Sequence, residues 1–166
     1  MHVQVVDALA TGRLEAALDI TFEYLAVTEG EAGRPVPQHI QDLPAALRAV
    51  LDTLGSSHGS PGAVLLALHG EQVLGTVAMR QTSTRPTDAV VQRLYVRPSH
   101  RRRGVARLLM AHVDTIAERS GFDRLVLNVM TTRAGALCLY ESLGYVPMPE
   151  PEGWTWGGLW LCRETQ

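Results

Sequence analysis

Between Arg93 and Met110 the chain groups Arg97, His100, Arg101, Arg102, Arg103 and Arg107 around the small residues Gly104 and Ala106. An apolar run, Leu94-Tyr95-Val96, stops at Pro98, and helical periodicity then begins with Val105, Leu108, Leu109, Val113 and Ile116 on one face. A strand, a basic loop and a helix in that order make an anion site. The first turn of a helix has N–H groups with no intrahelical acceptor, and the dipole adds positive potential at the same place, so phosphate oxygens suit it. Gly104 and Ala106 keep the turn bare enough for a pyrophosphate to approach the backbone, while the arginines bring charge and bidentate geometry.

Three other readings of this loop compete. A dinucleotide fingerprint needs three glycines, and only Gly104 is present. A nucleic-acid patch would interleave aromatics among the arginines and favour a basic chain, whereas the net charge is -2; no nucleic-acid partner is expected. The bland reading is a solvated, charged helix start with no ligand. All fifteen basic residues are arginine, which rules out a P-loop lysine and a lysine Schiff base. His2, His39, His58, His69, His100 and His112 show no metal-ligand spacing, so no metal is expected. Cys138 has no apparent acid or base partner and reads as a small helix residue.

The elements that must position these groups follow from the pattern of apolar residues. A first strand spans His2–Ala8, and a helix capped by Thr11 carries Leu14, Ala17, Leu18, Phe22 and Leu25. A loop through Thr28–Gln38 leads to a second helix with Leu43, Leu47, Val50, Leu51 and Leu54. Ala63–Leu68 and Val73–Arg80 form a hairpin, followed by a strand over Ala89–Val96, a helix over Gly104–Arg119 and a strand over Leu125–Val129. The last three make a parallel β-α-β unit. A last helix, capped by Thr131 or Thr132, runs to Leu143 and ends at Gly144, and Tyr145-Val146 and Leu159–Leu161 are the remaining strands. The expected class is α/β (α+β): a mixed, mostly antiparallel sheet with a central parallel β-α-β unit and helices on both faces, in one domain of residues 1–166. Hydrophobic content of 46%, two distant cysteines and no membrane-length apolar run point to a soluble cytoplasmic protein with no membrane partner.

Arg101-Arg102-Arg103-Gly104-Val105-Ala106 fits the pattern Gln/Arg-x-x-Gly-x-Gly/Ala, at the usual distance after Leu94-Tyr95-Val96-Arg97-Pro98. Further on, Ala136-Leu137-Cys138-Leu139-Tyr140-Glu141-Ser142-Leu143-Gly144-Tyr145 fits Ala-x-x-Leu-Tyr-x-x-x-Gly-Phe/Tyr. In this order and spacing, from Ala89 to Val146, the chain resembles the GNAT superfamily of acyl-CoA-dependent N-acyltransferases. The resemblance implies acetyl-CoA or another short acyl-CoA as donor and a small amine as acceptor, joined by direct attack in a ternary complex. It puts the pyrophosphate on the backbone of Arg102, Arg103, Gly104, Val105, Ala106 and Arg107, with Arg101 or a neighbour near the phosphates. The pantetheine arm would lie beside Leu94, Tyr95 and Val96, where that strand splays from its parallel neighbour, with Asn128 offering an amide or simply closing its strand.

By the same resemblance Tyr140 protonates the departing thiolate, and a backbone N–H near Leu94–Val96 meets the oxyanion. Two positions depart from the family. Where many relatives carry a glutamate base this chain has Val90, with Gln92 two residues on, so a base must come from elsewhere; Glu29, Glu31, His39 and Asp88 are the candidates. The asparagine often found before the last helix is Arg133, which would meet a phosphate, an acidic substrate or solvent. Acceptor lining is expected from Tyr24, Glu29, Glu31, His39 and Gln92 on one side and Trp154 and Trp156 on the other, although the Trp154–Gly158 segment also reads as a terminal strand or homodimer contact. The missing glutamate leaves a second reading open, a CoA-binding sensor or interaction module, and a third, acylation of a protein or peptide.

Overall fold

The computed structural model describes residues 2–153 and 157–166. In chain order its elements are β1 (Gln4–Asp7), α1 (Leu14–Glu31), α2 (Ala45–Asp52), α3 (Leu54–Ser57), β2 (Ala63–His69), β3 (Gln72–Gln81), β4 (Asp88–Val96), α4 (Val105–Arg119), β5 (Arg124–Val129), α5 (Ala134–Ser142), β6 (Val146–Pro147) and β7 (Leu159–Glu164). They build one seven-stranded sheet in the order β1-β2-β3-β4-β5-β7-β6. All neighbours are antiparallel except β4 and β5, which run parallel with α4 as the connection. The expected α/β class and its central β-α-β unit are what the chain forms.

Two cores lie on opposite faces of the sheet. The larger buries Val105, Leu109, Met110 and Val113 of α4 against Leu65, Val77, Val91 and Leu125, and the smaller buries Ala17 and Ile20 of α1 against Leu66, Ala78 and Tyr95. Strands covered on both faces read as unbroken apolar runs, which is why Ala63–Leu68 shows no alternation.

The central strand carries an irregularity that its sequence does not announce. Thr76 pairs with Tyr95 but Ala78 pairs with Gln92, so Arg93 and Leu94 together oppose Val77, and Arg93 takes φ 56. An extra residue in a strand reverses which face each following side chain points to. Before the bulge Ala89 and Val91 enter the larger core; after it Leu94 and Val96 do, and Tyr95 turns to the α1 side.

Expected boundaries differ at three helices. The second predicted helix is two, broken at Thr53, whose hydroxyl bonds back to the Ala49 carbonyl at 2.7 Å and competes with the helix's own bonds. The first begins at Leu14, because Thr11 donates to the Asp7 carbonyl (2.7 Å) instead of capping a helix. The last begins at Ala134 after Arg133, beyond Thr131 and Thr132, and Gly144 (φ 86) does terminate it. Among the described residues no helix is long and apolar enough to cross a membrane.

Candidate functional site

The parallel pair is joined only at its lower end. Asp88, Ala89 and Val90 pair with Arg124, Leu125 and Val126, and the ladder then stops, while β5 continues to pair with β7 as far as Val129. The β5 side of Leu94–Val96 is therefore a free strand edge. Arg97 N donates to Leu74 O across β3 at 2.9 Å, so by alternation the main-chain groups of Val96 point the other way, into the parting. Arg101 covers one of them: its Nε donates to the Val96 carbonyl at 2.9 Å, and its guanidinium sits 5.8 Å from the Tyr95 ring centre.

A cleft of about 860 Å³ opens at this edge. Its floor is Leu94, Tyr95 and Val96; one wall is His100, Arg101, Arg102 and Gly104 with the first turn of α4, Val105–Arg107; the other is Thr132–Ala136 and Leu139 at the start of α5, roofed by Tyr24, Val27 and Glu31 of α1. The first intrahelical bond of α4 runs from Leu108 N to Gly104 O (3.0 Å), so the amides before Leu108 belong to the open first turn. Gly104 has φ 81, and a Cβ there would meet nothing within 4 Å; the backbone angle, not crowding, calls for glycine. Two helix N-termini thus converge on one basic cleft, and either alone favours an anion.

The expected cofactor residues Leu94, Tyr95, Val96, Arg101, Arg102, Gly104, Val105, Ala106 and Arg107 line this single space, and Arg133 joins them; Arg103 does not line it. Arg107 also donates to the Ser142 hydroxyl of α5 at 2.7 Å. Arg133 is already engaged. It donates to Glu31 Oε2 (2.6 and 3.0 Å) and to the Thr28 hydroxyl (3.0 Å), and it lies 5.5 Å from the Tyr24 ring centre, so it ties α5 to α1. Asn128 lies outside the cleft and donates to the Gly157 carbonyl at 3.1 Å; a Cβ on Gly158 would come within 2.6 Å of its amide.

Tyr140 is buried on α5, one residue from the cleft-lining Leu139, with its ring edge-on to Tyr145 at 5.7 Å. Burial raises its hydroxyl pKa strongly, with the neighbouring Tyr24 adding and Arg133 opposing. The phenol therefore stays protonated at neutral pH. Tyr95 is pushed up to about 12 by burial and by its 3.0 Å bond to Glu23.

The candidate bases are dispersed. Glu29 is buried, does not line the cleft, and is gripped by Arg34 at 2.6 and 2.7 Å, which holds its pKa low. Asp88 is locked to Arg124 at the closed end of β4. His39 is exposed and forms a capping box with Asp42. Tyr24 and Glu31 do reach the cleft. Gln92 faces the α1 side, 3.4 Å from His58 Nε2. Trp154 and Trp156 lie outside the described residues. Cys138 is exposed, and no group of three or more potential metal ligands occurs among the described residues. Sequence reasoning missed Val27, the small N-terminus of α5 as a second anion-facing turn, and the His58–Arg93 contact. Only the second had a signal, in Thr131-Thr132-Arg133-Ala134-Gly135-Ala136.

A sheet parted along its one described parallel pair, with two helix N-termini and four arginines at the parting, defines a class of α/β protein with a phosphate-compatible cleft on a free strand edge. The chain belongs to the acetyltransferase (GNAT) family, whose family model matches residues 25–145. It is 38% identical over 61 residues to the thialysine N-epsilon-acetyltransferase of Caenorhabditis elegans, covering 37% of this chain and 38% of that protein. It is 28% identical over 149 residues to N-acetyltransferase 8F1 of Rattus norvegicus, covering 87% of this chain and 66% of the relative. The matches thus span less than two thirds of either curated relative. Among solved structures, the fold superposes on the paia N-acetyltransferase of Thermoplasma acidophilum in complex with coenzyme A with a TM-score of 0.74, at 15% identity and 99% coverage of both chains.

Proposed function

We propose that this protein, acting as one unit over residues 1–166, transfers an acetyl group from acetyl-CoA to the primary amine of a small molecule within a ternary complex. The observation that carries this reading is the parting of β4 from β5 beside two helix N-termini. Pyrophosphate suits the bare first turn of α4 with Arg101, Arg102 and Arg107, and the pantetheine arm suits the free edge of Leu94–Val96, so that the thioester points down the parting toward the bulge. The amine nitrogen attacks the thioester carbon, a C–N bond forms as the C–S bond breaks, and water takes the proton that the nitrogen sheds. Tyr140, still protonated, supplies the proton that the leaving thiolate takes.

Among the described residues the candidate carboxylates Glu29, Asp88 and Glu31 are each held by an arginine. An acceptor that arrives as the neutral amine needs no carboxylate to begin its attack, and water suffices for the proton it sheds afterwards. The same observation favours a second reading, a CoA-binding module without turnover. Release of free thiol from acetyl-CoA across a panel of small amines and short peptides separates the readings. Turnover supports the enzyme, and calorimetric CoA binding with no turnover supports the module. No heat with CoA or acetyl-CoA refutes both, and acceptance of peptides alone moves the acceptor class to proteins.

A further inference from the structure

We propose that the acceptor carries a carboxylate beside its amine, and that Arg93, backed by Arg80, receives it; this rests on the acyltransfer reading above and adds the substrate class. Five of the other half-buried arginines meet an acid: Arg13 meets Glu71, Arg97 meets Glu23, Arg124 meets Asp88, Arg133 meets Glu31 and Arg163 meets Asp114, while Arg48 donates to the Gln41 carbonyl at the surface. Arg80 and Arg93 are half-buried too, yet among the described residues neither has a carboxylate partner. Trp154, Thr155 and Trp156 have none to offer.

What surrounds Arg93 deepens the deficit. Its Nη1 lies 3.2 Å from His58 Nε2, and His58 Nδ1 lies 3.1 Å from the Leu54 carbonyl. A carbonyl only accepts and a guanidinium only donates, so the imidazole is the neutral Nδ1–H tautomer with its Nε2 lone pair toward Arg93. Gln92 Oε1 is placed 3.4 Å from the same nitrogen, and an amide turned over would donate to it instead. Burial and the arginines lower the pKa of His58, and burial and Arg80 lower that of Arg93. The field of Arg80 thus opposes the charge on Arg93, and that of Tyr24 favours it. A half-buried guanidinium in the field of another without an anion is unfavourable, and a bound carboxylate would reverse that sign.

The placement suits an acceptor. Arg93 occupies the β4 bulge, at a φ uncommon for any residue but glycine, just beyond Val90, where β4 and β5 part. Arg80 of β3 pairs with Val90 of β4, and Tyr24, whose field reaches Arg93, lines the cleft, which Arg93 and Arg80 themselves do not. Arg93 offers the planar N–H fork that a carboxylate takes bidentately.

The test is steady-state acetylation of matched amines: L-leucine, L-leucinamide and isopentylamine, and L-phenylalanine, L-phenylalaninamide and phenethylamine. The amides control for amine basicity. The free amino acids are expected to exceed both partners in kcat/KM by roughly 10-fold or more. Arg93→Gln and Arg80→Gln are each expected to shrink that preference through KM, with CoA affinity by calorimetry unchanged. Arg80, near the exposed end of β3, gives the same answer if the Arg93 variant fails to fold. Equal or reversed preference in the parent, or a preference that survives in both variants, overturns the proposal and leaves the acyltransfer reading standing. No thiol release with any amine of this set or of the wider panel overturns both.

Discussion

The two ends of β4 are built from one strand and behave as opposites. At the Asp88 end the backbone pairs on both sides, and Asp88 Oδ2 takes Arg124 Nη2 and Nε at 2.6 and 3.2 Å. At the Val96 end the strand pairs on one side only, Arg101 covers the Val96 carbonyl, and the cleft's charges are mostly arginines. Polar groups satisfied within the chain make scaffold; polar groups left facing a cleft make a site for something else. The contrast predicts which readout each substitution moves. Asp88→Ala leaves the Arg124 charge without its partner and should have the largest effect, a loss of about 2–4 kcal/mol of stability by urea unfolding. CoA affinity of the fraction that remains folded should not change. A stability loss within a few tenths of a kcal/mol would erase the distinction between the two ends.

Gly104→Glu is the opposite experiment. A side chain at φ 81 costs about 1–2 kcal/mol, but a carboxylate at a helix N-terminus recovers part of that, so the protein should stay folded. The same carboxylate occupies the place proposed for the pyrophosphate, and CoA affinity should fall by roughly 100-fold or more in calorimetry. Unchanged affinity would mean that the phosphate lies elsewhere. Tyr140→Phe should come next, with kcat for acetyl transfer down by roughly 10-fold or more and CoA affinity nearly constant. The effect sits at the low end for acid catalysis because a thiolate leaves easily. Equal turnover in the variant would take Tyr140 out of the proton path.

How much of this was legible in the sequence follows the same contrast. The strand–loop–helix around Gly104 and the run ending in Gly144 announce themselves by local patterns, and nearly all the expected cofactor residues do line one cleft. What local pattern could not show was the partner of each charge. Arg133 lies 102 positions from Glu31 in sequence and Arg93 lies 35 from His58, so neither pairing leaves a trace in periodicity. The β4 bulge was equally hidden, because Val90 to Val96 reads as an ordinary strand whether or not one residue is extra. Asn128 shows the converse: its strand position was right, but its amide is spent on the Gly157 carbonyl.

His58 lies between the two ends of β4, and its protonation gives the smallest and most selective test of the comparison. It is 2% exposed, and burial first, then Arg93, lower its pKa from the ordinary value of 6.5. The unfolded chain therefore binds a proton near pH 6.5 that the folded chain refuses, so stability should decline as pH falls from 6.5 and level off once the folded imidazole also titrates. Glu29, Asp42 and Glu71 are shifted the other way by arginine or by hydrogen bonds, and their contributions fade only below their ordinary values of 4.5, 3.8 and 4.5. The window from about pH 6.5 to 5 thus isolates His58 from those carboxylates. Urea midpoints should fall across it in the parent and stay flat in His58→Gln. If a carboxylate-bearing ligand seats on Arg93, it should also lessen the slope, because a nearby anion makes protonating His58 less costly in the folded state. A parent midpoint that does not move between pH 6.5 and 5 would show that His58 shares the solvent's proton equilibrium, and the bulge would then belong with the open end of β4 instead of standing between the two.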